Sequence, residues 1–176
     1  MEEVESNLKE KKLKIYTVAM AGVSLAMILA VQLINLPNLI TGIAVNSIFV
    51  VVSKRVGFRS ALSIGLLSPF GGMISGHLPV PLYPLLPVIV TGNIAFIFAY
   101  SLLRESNVFS RVAVPALAKA IIISGIGLLT IHQLNLGDKV QWLALPILGL
   151  QVATAVVGII VGEQLLKALF TDENVT

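Results

Sequence analysis

The sequence predicts an all-α integral membrane protein, a bundle of six transmembrane helices with both termini cytoplasmic. Three observations carry that expectation. Of 176 residues, 56% are apolar and only 12% charged, against about 45–50% and about 25% in an ordinary soluble domain. So little polar surface does not cover a water-soluble globule, and the mean hydropathy of +0.94 agrees. Apolar runs near the length of a bilayer crossing, about 20 residues, recur between short polar breaks. Finally, counting six such runs sends nearly all the basic residues to one side.

Residues 1–14, polar and mixed in sign, are expected as a cytoplasmic tail, residues 15–168 as the membrane domain and residues 169–176 as a second cytoplasmic tail. The first apolar run, 15–34, leads straight into further membrane segments, so it is expected to stay as a span rather than be cleaved as a signal. Asn35-Leu36-Pro37-Asn38 ends it. A second span, 39–53, carries Asn46 and closes at Lys54-Arg55. The third, 60–76, is rich in Gly and Ser, and Pro69 is expected to interrupt it. Pro79, Pro81, Pro84 and Pro87 follow, too dense in residues without an N–H for a helix interior; they are expected as an ordered surface loop. Spans at 84–103, 112–132 and 142–167 complete the set.

Orientation follows from charge. Lys9, Lys11, Lys12, Lys14, Lys54, Arg55, Arg59, Arg104, Arg111 and Lys167 share one side, Lys139 stands alone opposite, and Lys119 falls within a span. By the positive-inside rule the first side is cytoplasmic, which places the chain in the cell membrane. The net charge of +3 and pI near 9.3 are thereby read as topology, not as nucleic-acid binding.

Enzyme signatures are absent. With no Cys there is no thiolate ligand or nucleophile. No phosphate-binding loop and no H-E-x-x-H is found, and His77 and His132 stand 55 positions apart without clustered carboxylates. No catalytic residue, resident metal or cofactor is expected.

Polar side chains collect in the outer half of the expected bundle. Asn46, Asn93 and Gln151 sit near mid-depth on three spans, where an amide must bond within the protein or face a wet cavity. They serve either as a shared substrate pocket or as glue between helices. His77, ending the third span, and Trp142, opening the sixth, join them as candidate substrate ligands; Trp142 is equally suited to an interfacial belt. Ala19, Gly22, Ala26 and Ala30 form a small-residue seam on one face of the first span. Such a seam admits close helix approach, from a neighbour in the bundle or from a partner protein. Lys119 and Glu163 are expected within spans, and a salt bridge, snorkelling or an ion relay would account for them.

Several stretches carry a resemblance: Leu36-Pro-Asn-Leu-Ile-Thr-Gly-Ile-Ala-Val-Asn46, Ser63-Ile-Gly-Leu-Leu-Ser-Pro69, Gly76-His-Leu-Pro79-Val-Pro81 and Pro87-Val-Ile-Val-Thr-Gly92-Asn93. Over roughly residues 15–103 the chain resembles the substrate-binding S components of energy-coupling factor (ECF) importers. The resemblance implies a six-helix protein that binds a vitamin-like micronutrient from outside. Its partners would be a transmembrane T subunit, docked through small residues of the first helix, and two cytoplasmic ATPases. It implies gating loops at 35–41 and 77–83. Nickel and cobalt S components begin Met-His, whereas this chain begins Met1-Glu2, so a metal substrate is not expected. Amides and two histidines suit a neutral or weakly anionic solute. Two other functions compete: a self-sufficient secondary transporter or channel using Lys119 and Glu163, and a membrane scaffold that binds no solute.

Overall fold

The computed structural model describes residues 1–34 and 36–170. Among them every regular element is helical. In chain order these are α1 (Glu2–Leu33), α2 (Asn38–Arg55), α3 (Phe58–Ile74), a 3-10 turn (Val80–Leu85) and α4 (Leu86–Leu103). Then come α5 (Val108–Ala120), a π-helical segment (Ile121–Ile126), α6 (Gly127–Gln133), α7 (Gly137–Gly149) and α8 (Gln151–Phe170). From α5 to α6 the helix is continuous over Val108–Gln133. Among the described residues four helices are long and apolar enough to cross a membrane: Glu3–Leu33, Val80–Leu103, Val108–Gln133 and Gln151–Phe170. These apolar helices are those of a membrane-embedded protein.

Several expectations change. Residues 2–14 are helical, continuing α1, with i,i+4 ion pairs Lys9–Glu5 (2.8 Å) and Lys14–Glu10 (2.6 Å) along the exposed turn. At the other end Leu169 and Phe170 close α8, and residues 171–176 of the expected tail lie outside the described residues, as does Asn35. The expected span 142–167 is two helices, because Gly149, the poorest helix former after proline, ends α7. The fifth span begins at Val108 rather than 112: Asn107 caps it, its Oδ1 accepting from Ser110 N at 2.8 Å.

Pro69 does not interrupt α3. Its missing N–H leaves the carbonyl of Gly65, four residues back, without its helical donor. Asn93 Nδ2 on α4 donates to that oxygen at 3.3 Å and lies 3.4 Å from Ser68 Oγ. A side chain from a neighbouring helix thus replaces the lost backbone bond, and the helix runs on to Ile74.

Close approach between α2 and α8 depends on glycine. A Cβ at Gly158 would stand 2.5 Å from Asn46 Cβ, and one at Gly162 2.8 Å from Val50 Cβ. Small residues at four-residue spacing let backbones meet where lipid supplies no hydrophobic drive. Two apolar clusters form around these contacts. The larger includes Ile28, Phe49, Phe96, Ile97, Tyr100 and Ile159. The smaller, under the 3-10 turn, includes Leu78, Leu82, Leu85, Ile123 and Ile131.

Candidate functional site

Where the two clusters meet lies a cavity of about 150 Å³. Val45 of the larger cluster lines it, as do Ile89 and Ile147, which pack against the smaller one. Between these apolar walls the polar lining comes from every part of the bundle. Gln32 reaches in from α1, Asn46 from α2, Ser68 from α3, Asn93 from α4, Lys119 from α5 and Gln151 from α8.

Four of the five substrate-ligand candidates, Asn46, His77, Asn93 and Gln151, therefore line one cavity. Trp142 does not; its side chain is 75% exposed. Each of the four also holds structure together. Asn93 caps Gly65 as described, so its amide nitrogen is committed. Gln151 Nε2 donates to Ile147 O at 2.8 Å, bridging the break between α7 and α8. His77 follows Gly76, whose φ of 79° turns the chain sharply after α3. The imidazole then joins two loops: Nδ1 lies 3.2 Å from Ser75 Oγ, and Nε2 lies 3.1 Å from Leu36 O and 3.4 Å from Thr41 Oγ1.

Lys119 is the residue that sequence reasoning placed elsewhere. A span beginning at 112 would set Lys119 about eight residues from its cytoplasmic end. In the structure it stands mid-way along Val108–Gln133 and is 5% exposed. Its Nζ donates to Asn46 Oδ1 at 2.7 Å, with the rings of Phe96 and Phe49 at 5.4 and 5.9 Å to their centroids. It does not pair with Glu163. That carboxylate holds Arg111 (Nε–Oε1 2.6 Å, Nη2–Oε2 3.1 Å) and accepts from Tyr100 Oη at 3.4 Å.

Gln32 is the second residue that the sequence reading missed. Ser24, Ile28 and Gln32, spaced by four, form the buried stripe of α1, and that register is the signal that could have found it. Gln32 Nε2 donates to Ser68 O at 3.2 Å, while its Oε1 is buried without a partner. Asn46 Nδ2 is likewise buried and unbonded. Two of the lining amides thus each have one half of their bonding capacity unused.

The seam on α1 lies on the opposite face from that stripe. Ala19, Gly22, Ala26 and Ala30 are all exposed, and a Cβ added at Gly22 would meet nothing within 4 Å. Among the described residues the seam faces outward, away from the helices of the bundle.

Among the described residues no cluster of three or more His, Asp or Glu could hold a metal ion. Comparison with protein-family models, curated proteins and solved structures finds no match to the chain.

Proposed function

We propose that this chain is the substrate-binding S component of an ECF-type importer. It takes a small, vitamin-like micronutrient from outside and delivers it through a T subunit driven by two ATPases. In this reading the chain crosses the cell membrane six times, as α1, α2, α3, α4, the Val108–Gln133 helix and the α7–α8 pair. In the same reading both termini are cytoplasmic, which the distribution of Lys and Arg supports.

One observation carries the proposal: polar groups from six helices converge on a single cavity with apolar walls, and two of their buried atoms are unbonded. Small-molecule sites combine apolar walls with a few placed polar groups. The outward seam of α1 supports the partner, since small residues turned away from their own bundle leave room for another helix. Hydrolysis of ATP belongs to the partner subunits in this reading, and no residue of this chain is assigned to catalysis.

The test is purification from cells expressing the chain with and without a T subunit and ATPases. An S component co-purifies with them, and the isolated chain retains a small molecule detectable by mass spectrometry. Ala26→Trp should abolish co-purification and uptake while the retained molecule survives. Transport by the chain alone in liposomes under an ion gradient would instead indicate a secondary transporter. A chain with neither partner nor solute would be a scaffold.

A further inference from the structure

The cavity has surplus donors at one end. Lys119 carries three N–H donors, and Asn46 Oδ1 takes one of them. Asn46 Nδ2 lies on the same amide, buried and unbonded. Among the described residues no Asp or Glu lines the cavity, and the carboxylate of Glu163 is committed to Arg111 and Tyr100. An ammonium removed from water without a counter-charge is costly unless a partner arrives. What this end lacks is acceptor capacity with negative charge.

Size narrows the partner. A dry cavity of about 150 Å³ accommodates a molecule of benzene size, and this cavity has the same volume.

We propose that the cavity binds a monocarboxylate of about one ring in size, its carboxylate held between Lys119 Nζ and Asn46 Nδ2. This rests on the reading that the cavity is where solute binds, and deepens it.

Benzoate and benzamide, nearly equal in shape and different in charge, test the proposal by titration of the full chain in detergent. Benzoate should bind and benzamide should bind weakly or not at all. Lys119→Gln, which retains a donor for Asn46, should weaken benzoate by roughly 10- to 100-fold, the range for a hydrogen bond to a charged group. Asn46→Asp supplies the missing carboxylate from within, so it should also abolish benzoate binding while leaving the thermal melt unchanged or raised. That second variant separates loss of the site from loss of the fold. Benzamide binding as well as benzoate, or benzoate binding unaltered in either variant, would overturn the anion assignment while leaving a solute cavity in place. Failure of both probes would overturn the one-ring carboxylate, and co-purification with the ATPases would then decide the transporter reading on its own.

Discussion

Arg111 and Lys119 stand on one helix, eight residues or about 12 Å apart along its axis, in two very different surroundings. Arg111 has a carboxylate, reinforced by the Tyr100 hydroxyl, and its Nη1 also donates to Arg104 O at 3.2 Å. Lys119, more deeply buried, has one neutral amide oxygen and two aromatic faces beside a cavity. The first set is closed in charge, its cation already compensated by a carboxylate. The second leaves donors over, in a place shaped to receive something. Burial of a cation alone does not distinguish structure from function; the completeness of its partners does.

The largest expected effect breaks the closed set. Glu163→Ala leaves the guanidinium uncompensated and should cost about 3 kcal/mol, the lower end for a broken buried pair, because both side chains are nearly a fifth exposed. A thermal or denaturant melt in detergent reads it directly. If stability is unchanged, Arg111 is solvated and the contrast disappears.

Gly158→Val attacks the open set from behind. The new side chain would meet Asn46 Cβ and the backbone of α2, so overpacking should cost about 2–3 kcal/mol. Retained solute should be lost as Asn46 shifts. A stable protein with solute still bound would show that Asn46 does not need that seat.

Asn93→Ala should cost about 1–2 kcal/mol by leaving the Gly65 carbonyl only the long 3.5 Å bond from Ser68 Oγ. Adding Pro69→Ala should recover most of that loss, because residue 69 then supplies the missing N–H. If the double variant is no better than the single, the amide is stabilising something other than this carbonyl.

The smallest effect is the most telling for the comparison. Lys119→Gln should leave the melt unchanged or raise it, since an ammonium buried without a counter-charge costs the fold more than its one amide bond returns. A loss as large as that of Glu163→Ala would place Lys119 among the structural cations.

Much of this arrangement was legible in the sequence, and the limits have physical causes. Apolar runs and polar breaks located the helices, because hydropathy and backbone satisfaction are local properties. Asn46, Asn93 and Gln151 stood out because an amide at mid-depth demands a partner. What local pattern cannot express is which partner. The rescue of Gly65 by Asn93 spans 28 positions, so Pro69 reads as a break in one dimension and as continuous helix in three. The division of Arg111 and Lys119 between Glu163 and Asn46 depends on the packing of α5 against α8 and on the reach of the Lys119 side chain to α2. Trp142 was included on its depth alone, and the side chain faces outward.

The position of Lys119 also bears on how the chain is made. During synthesis each apolar helix must partition from the insertion machinery into lipid before the cavity exists to receive its polar groups. A lysine at the centre of a helix opposes that step by about 2.5–3.5 kcal/mol, while each Val, Leu, Ile or Phe favours it by about 0.3–0.6 kcal/mol. Val108–Gln133 holds twelve of these four residue types. Every 18-residue window within that helix includes Lys119, yet it has the highest mean hydropathy of the four candidate spans, 2.1 against 1.9, 1.9 and 1.7. The isoleucines after Lys119 therefore act before folding as well as after it. They carry the cation into the bilayer on the merit of its own helix, without waiting for Asn46 or any other segment to accompany it.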